Sequence, residues 1–209
     1  EQGRLNLDLD INQYLQRFKL TNPFQTPVTM RHLLTHTAGF EDKYYADGTL
    51  NENERQSLGE HLNRYLPKLM REAGKYISYS NYGSALAGLV IEEISGQSFA
   101  EYVQQHILMP AGMVNSAYTL TAKLKSQLVT GHKESDGKVI VRPYTWIHRY
   151  PPTSMMTTAQ DMMKFASIFL NEGLGETSRI LTAKSVTEIL KLQFTQNKSL
   201  PGMALAFME

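Results

Sequence analysis

Apolar residues recur every three or four positions along most of the chain, which is the spacing of one buried face of an α-helix. One segment, 83–95, goes further and is apolar on nearly every face. It predicts a buried central helix that stops at Gly96. Similar patterns cover 11–18, 30–34, 52–70, 99–108, 158–170 and 183–192. Thr29, Ser98 and Thr182 precede three of these patterns and can cap them, because a hydroxyl accepts a hydrogen bond from a free backbone N–H. Together the patterns predict a mainly α fold.

The stretch 128–144 is the best candidate for β-strands. An Asp136-Gly137 pair lies near its centre, and this pair is typical of the tight turn of a hairpin. Ser135 and Lys138 on either side fit the Ser-x-x-Lys pattern of an activated serine, but a hairpin turn explains the same four residues. We therefore predict one small β-hairpin and no nucleophile at Ser135.

Composition and charge exclude several classes of function. The chain has 209 residues and a net charge of +1, so nothing in its charge favours nucleic acid or an anionic membrane surface as a partner. It has no cysteine, which excludes disulfides and thiolate sites. The longest apolar run, at 85–91, is too short to span a bilayer, and no signal peptide is visible, so we expect a soluble fragment.

Two histidines at helical spacing raise the question of a metal site. His32 and His36 are four positions apart and could both face one metal ion. No third ligand accompanies them at a suitable spacing. We therefore expect packing roles for both, and neither a metal nor another cofactor.

The strongest candidate for chemistry is Tyr79-Ser80-Asn81, just before the central helix. A tyrosine and an asparagine two positions apart, in an extended or irregular approach to a helix, can face the same cleft. There a tyrosine can transfer a proton, and an asparagine amide can hold a substrate. The structural alternatives are a packing role for the Tyr79 ring and a turn or cap hydrogen bond for Asn81.

Several segments follow one another in the order typical of one enzyme family. They are 1–5 (EQGRL), 28–40 (VTMRHLLTHTAGF), 79–81 (YSN), 110–113 (PAGM) and 157–162 (TTAQDM). Through these segments the chain resembles the serine β-lactamase and penicillin-binding protein-like hydrolases. The likeness is to the branch that holds class C β-lactamases, D-alanyl-D-alanine carboxypeptidases and esterases, and it covers nearly the whole chain.

The resemblance implies the α+β fold of the β-lactamases and transpeptidases. Residues 1–209 would be a single helical domain, a truncated middle portion of a larger β-lactamase-like domain, and would lack most of the antiparallel sheet. The family uses three elements: Ser-x-x-Lys, Tyr-x-Asn, and a late Lys-Thr-Gly or His-x-Gly. Only the second is convincingly present, and neither late triplet occurs in the chain. We therefore expect the fragment itself to be inactive.

For the parent protein, the resemblance implies a serine hydrolase that cleaves β-lactam, D-alanyl peptide or ester bonds through an acyl-serine intermediate. The alternative is a non-catalytic binding or sensor module on the same scaffold. The resemblance assigns catalytic positions to Tyr79 and Asn81, with Tyr79 as a base in its phenolate form, which a nearby ammonium would favour. It places Phe40, Tyr44 and Ser154 at the rims of the substrate cleft.

The resemblance also implies partners and a location. The parent would act on a small-molecule or peptidoglycan-like substrate, and would be extracytoplasmic or membrane-anchored. Helix faces that cover the sheet in the whole fold would be exposed here. Exposed apolar faces of this kind favour self-association.

Overall fold

Short helices make up most of the regular structure in a computed structural model, which describes residues 1–41 and 47–208. They are α1 (Met30–Leu34), α2 (Leu58–Arg64), α3 (Asn81–Ser95), α4 (Phe99–Val103), α5 (Ala122–Gln127), α6 (Ala159–Leu170) and α7 (Ala183–Leu190). Single 3-10 turns at Ile11–Gln13 and Glu52–Glu54 and a π-helix at Gln104–Leu108 accompany them. About a third of the chain is helical, so the predicted mainly α character is confirmed only in part.

Capping side chains start these helices where the sequence predicts them. Thr29 and His32 form a reciprocal cap at the start of α1, and Ser98 forms the same arrangement with Glu101 at α4. Thr158 caps α6, and Thr182 caps α7. The hydroxyls fix these boundaries because they satisfy N–H groups that have no partner inside the helix.

Two of the predicted helices differ most from their apolar patterns. The 11–18 pattern forms one 3-10 turn followed by an irregular segment. Its apolar residues pack on the larger core. The 52–70 pattern divides into a 3-10 turn and α2, because Ser57 caps α2 separately and Pro67 follows its end at Tyr65. α5, which no pattern predicted, is a short exposed helix that buries no side chain.

α3 is the centre of the larger core. Its fully buried side chains are Ala85, Leu86, Leu89 and Val90. α1 and α2 pack against it and bury Leu33 and Leu62, which explains why α3 is apolar on nearly every face. At 15 residues α3 is the longest helix, and no helix in the described part of the chain combines the length and apolarity needed to cross a bilayer.

A buried carboxylate joins α6 to the residues just after the 110–113 segment. Asp161 on α6 accepts hydrogen bonds from the backbone N–H of Asn115 and from the hydroxyl of Ser116, each at 2.8 Å. Ala117 and Met156 pair nearby in an antiparallel bridge. These bonds hold α6 and Met156 against residues 115–117, and Ile168 of α6 shares a second, smaller core with Met113.

The described strands form two small antiparallel sheets. β1 (Gly48–Thr49) pairs with β4 (Trp146–Ile147), and β2 (Gly131–Ser135) pairs with β3 (Lys138–Arg142). The second pair confirms the predicted hairpin, since Asp136 and Gly137 both have positive φ, as its tight turn requires. Ser135 lies opposite Lys138 across this turn, so the Ser-x-x-Lys match there belongs to a hairpin.

Candidate active site

Tyr79 and Asn81 come together at the start of α3. Ser80, in an extended conformation, caps the helix through its hydroxyl, which accepts from the N–H of Gly83 at 3.1 Å. Asn81 is therefore the first helical residue and Tyr79 precedes the cap. The Tyr79 hydroxyl donates to Asn81 Oδ1 at 3.4 Å. Tyr79 is 55% exposed and Asn81 only 8%, so the phenol is accessible at the surface while the amide is held by the helix.

His36 packs against this pair from the end of α1. Its ring centroid lies 4.5 Å from that of Tyr79, with the two planes tilted by 37°. Its Nδ1 accepts from the N–H of Ser80 at 3.3 Å, and its carbonyl oxygen accepts from the N–H of Ser78 at 2.8 Å. Sequence reasoning considered His36 only as a packing residue or metal ligand. The only sequence signal for a role of His36 in the site is its position in the 28–40 segment. That position does not indicate a contact with Tyr79 or Ser80, which lie more than 40 residues further along the chain.

The predicted rim residue Phe40 is buried. Its side chain is 2% exposed and meets the Tyr82 ring edge-on at 5.1 Å, while its backbone pairs with Leu69. Packing in the core explains this side chain, and we assign it no contact with a substrate. Tyr44, the other residue predicted on this rim, lies outside the described residues.

Ser154 lies in a turn after Tyr150 and is partly exposed. Its N–H donates to the carbonyl of Tyr150 at 3.0 Å. Within 1–41 and 47–208, no hydrogen bond joins Ser154 to Tyr79 or Asn81. Its place on the opposite rim of the cleft stays a prediction.

The two histidines at helical spacing have different partners. His32 Nδ1 accepts from the N–H of Thr29 at 3.3 Å, which completes the cap of α1, and burial lowers the pKa of His32. His36 is engaged with Tyr79 and Ser80 instead. Over the ranges that the structure describes, no group of three His, Cys, Asp or Glu side chains is placed to hold a metal ion.

A second polar group, which we call the anchor cluster, consists of Asp47, His61, His148 and Arg149. Arg149 Nη2 donates to Asp47 Oδ2 at 2.6 Å, and the N–H of His148 donates to the carbonyl of Asp47 at 2.7 Å. The rings of His61 and His148 stack at 5.0 Å, and His61 Nδ1 lies 3.0 Å from Gln56 Oε1. Burial lowers the pKa of His61 to about 4, and the nearby His148 and Arg149 act in the same direction. The cluster ties α2 to the segment around β4.

The family model for β-lactamases ("Beta-lactamase") matches residues 1–208. The chain belongs to the Beta-lactamase family. This confirms the relationship that the five sequence segments indicated.

Comparisons with individual proteins agree with this family. The chain is 26% identical over 180 residues to Protein flp of Staphylococcus aureus (strain N315), covering 82% of this chain and 35% of flp. It superposes on the octameric penicillin-binding protein homologue from Pyrococcus abyssi with a TM-score of 0.77 at 22% identity, covering 100% of this chain and 48% of that one. For the penicillin binding protein from Bacillus halodurans the TM-score is 0.75 at 25% identity, covering 99% of this chain and 62% of that one. The chain thus spans about a third of the length of flp.

The arrangement of Tyr79 and Asn81 allows proton transfer and the binding of a polar group. A phenol oxygen at the surface can pass a proton to or from a reacting group. An amide side chain offers an acceptor and two donors, so Asn81 can contact both Tyr79 and a substrate.

Proposed function

We propose that the whole protein is a serine hydrolase acting on amide or ester bonds, with Tyr79 and Asn81 in its active site. The observation that carries this proposal is the exposed Tyr79 side chain, whose hydroxyl donates to Asn81 at the start of α3, in a chain of the Beta-lactamase family. The anchor cluster has perturbed groups but no comparable exposure. We therefore assign the anchor cluster a structural role.

The proposed reaction proceeds in two steps. A serine hydroxyl attacks the substrate carbonyl carbon while the Tyr79 phenolate accepts its proton, and the phenol then donates that proton to the leaving nitrogen or oxygen. Water next attacks the acyl-serine ester, which releases the acid and restores the serine. Asn81 binds the substrate carbonyl or amide and so orients it for attack. In this proposal, the Ser-x-x-Lys pair belongs to a part of the whole protein other than 1–209.

Three substrate classes fit this chemistry: β-lactams, D-alanyl peptides and small esters. The name of the Bacillus halodurans relative, a penicillin binding protein, supports the first. A peptidoglycan-like substrate would place the whole protein outside the cytoplasm or at the membrane. None of the three classes requires a cofactor.

We further propose that the chain associates with a second copy of itself. Met163 and Leu170 lie seven positions apart on α6, hence on one face, and are 71% and 82% exposed. The similar Pyrococcus abyssi protein is octameric, which supports association in this fold. Light scattering is expected to show dimers or larger species, and Met163→Lys with Leu170→Lys is expected to reduce them. Monodisperse monomer at high protein concentration would count against this proposal.

Intact-mass spectrometry after incubation with a fluorescent penicillin tests the proposed reaction. We expect the whole protein to gain the mass of one opened probe, and residues 1–209 alone to gain none and to leave nitrocefin unhydrolysed. An adduct on 1–209 would contradict the placement of the nucleophile. Reversible binding to the whole protein, without adduct or turnover, would instead show a binding or sensor module.

A further inference from the structure

His36 contacts three consecutive residues of the approach to α3. Its carbonyl oxygen accepts from the N–H of Ser78, its ring packs on that of Tyr79, and its Nδ1 accepts from the N–H of Ser80. These contacts differ in kind and come from different atoms of one residue. His36 therefore holds the backbone on both sides of Tyr79 as well as the Tyr79 ring.

The backbone of His36 is fixed in an uncommon conformation. Its φ is +53°, in the left-handed region that non-glycine residues seldom adopt. Its neighbours Thr35 and Thr37 are buried, and a single hydrogen bond of 2.9 Å joins their hydroxyls. The carbonyl of Thr37 also accepts from the N–H of Gly74 at 2.8 Å. A strained residue persists where its surroundings determine its conformation, and such positions cluster at functional sites.

The hydrogen bond from the Ser80 N–H determines the tautomer of a neutral His36 imidazole. Nδ1 can accept only when it carries no proton, so a neutral His36 has its proton on Nε2. Ser80 also caps α3 through its hydroxyl. The imidazole thus links α1 to the cap of α3, and Tyr79 lies between these two attachments.

Tyr79 needs such support because its side chain is largely exposed. More than half of the residue is exposed, and its hydroxyl reaches Asn81 only at 3.4 Å, near the limit of a hydrogen bond. A modest rotation about its side-chain torsions would break this bond. An exposed side chain samples its rotamers freely unless a neighbour restricts it.

We propose that His36 is a positioning residue for Tyr79: its imidazole restricts the phenol to the orientation that reaches Asn81 and the reacting atoms. This rests on the proposed function of Tyr79 in proton transfer. His36 itself does not touch the substrate. A displacement of about 1 Å in a catalytic group can lower a rate by about 100-fold, so losing this restraint has a measurable consequence.

The test compares two matched histidine substitutions in the whole protein. His36→Asn removes the ring but keeps a residue type that tolerates a left-handed backbone. His32→Asn makes the same change one turn earlier, where the histidine caps α1 and does not contact Tyr79. His36→Phe restores a ring without the acceptor nitrogen, and Tyr79→Phe removes the hydroxyl. For each variant, the limiting acylation rate and the half-saturating concentration of a fluorescent penicillin are measured, together with thermal stability.

We expect His36→Asn to lower the limiting acylation rate about 10- to 100-fold, with less than about a twofold change in the half-saturating concentration. His32→Asn is expected to lower thermal stability without lowering the acylation rate. His36→Phe is expected to recover part of the lost rate. Equal acylation rates for His36→Asn and His32→Asn, with Tyr79→Phe strongly impaired, would overturn the positioning role and leave the proposed function standing.

NMR of the tyrosine rings decides the proposal independently of activity. In the protein without substitutions, the ring current of the His36 imidazole should shift the resonances of the Tyr79 ring protons. His36→Asn should remove this shift and alter the Ser80 amide resonance, whereas His32→Asn should leave both in place. Unchanged Tyr79 and Ser80 resonances in His36→Asn would overturn the proposal, even if the protein proved not to acylate. Absent acylation, or a Tyr79→Phe variant as fast as the parent, would instead refute the proposed function.

Discussion

The Tyr79–Asn81 pair and the anchor cluster are both convergences of polar side chains, but they lie in opposite environments. Tyr79 is 55% exposed, whereas His61 and Arg149 are 2% and 4% exposed. In the cluster, the Arg149 charge is balanced by Asp47 at 2.6 Å. The phenol can meet a ligand from solution, while the cluster's groups satisfy one another inside the protein.

This difference shows that a perturbed pKa is not sufficient to identify an active site. The pKa of His61 is lowered to about 4 because the ring is buried beside cationic groups. Perturbed groups indicate function when they lie in an accessible cleft, and His61 does not. The exposure of Tyr79, together with its hydrogen bond to Asn81, makes Tyr79 the candidate instead.

The largest difference between the anchor cluster and the Tyr79–Asn81 pair is expected in stability, on substitution of Asp47→Ala. This substitution removes the carboxylate that accepts from the buried Arg149 guanidinium at 2.6 Å, which costs about 3 kcal/mol of unfolding free energy. Asp8→Ala is the matched control, since Asp8 pairs with Arg31 at the surface, where such a pair contributes less than about 1 kcal/mol. Urea denaturation measures both. Equal losses would show that the anchor cluster is no more than a surface ion pair.

The next effect is a loss of stability in acid that depends on His61. Its pKa is about 4 in the folded protein against 6.5 as the ordinary value, so the unfolded chain binds more protons between these limits. The contribution of neutral His61 to the unfolding free energy is therefore fully present above pH 6.5. It is lost as the pH falls toward 4. Between pH 7 and 5 this amounts to about 2 kcal/mol.

His61→Gln provides the matching variant for the acid effect. It removes the titrating group, so its unfolding free energy should fall by about 2 kcal/mol less than that of the parent between pH 7 and 5. Urea midpoints at both pH values for both proteins give this difference. Parallel pH dependences would contradict the assignment to His61.

A smaller effect is expected at the cap that separates Tyr79 from Asn81. Ser80→Ala removes the acceptor for the N–H of Gly83 and should cost about 1 kcal/mol of unfolding free energy. Ser98→Ala at α4 removes an equivalent cap and should cost a similar amount. Only Ser80→Ala should also change the Tyr79 ring resonances in an NMR spectrum. An unchanged Tyr79 spectrum would show that the cap does not define the site.

The smallest effect on stability is expected from Tyr79→Phe. The residue is more than half exposed and its hydroxyl donates one long hydrogen bond, so the unfolding free energy should change by less than about 0.5 kcal/mol. Thermal denaturation checks this value. A loss comparable to that of Asp47→Ala would place Tyr79 with the structural residues.

Local signals in the sequence predicted the features that depend on near neighbours. The cap at Thr29, the buried α3 and the turn at Asp136 and Gly137 all follow from residues close together in the chain. The hydrogen bond between Tyr79 and Asn81 is equally local, since the two residues are separated only by Ser80, but the sequence predicted only that they can face one cleft.

Long-range contacts explain what the sequence could not predict. His36 and Ser80 are 44 positions apart, and Asp47 and Arg149 are 102 apart, so no local pattern indicates either pairing. The burial of Phe40 depends on Tyr82 in α3, which lies far along the chain. The apolar pattern at 11–18 correctly indicated burial but not a full helix, because tertiary packing rather than helix periodicity buries those residues.

The most direct test of the central claim is the limiting acylation rate of the whole protein by a fluorescent penicillin, compared between the parent and Tyr79→Phe. If the accessible phenol transfers the proton, the rate should fall by about 100- to 10,000-fold. Equal rates in the two proteins would contradict the account.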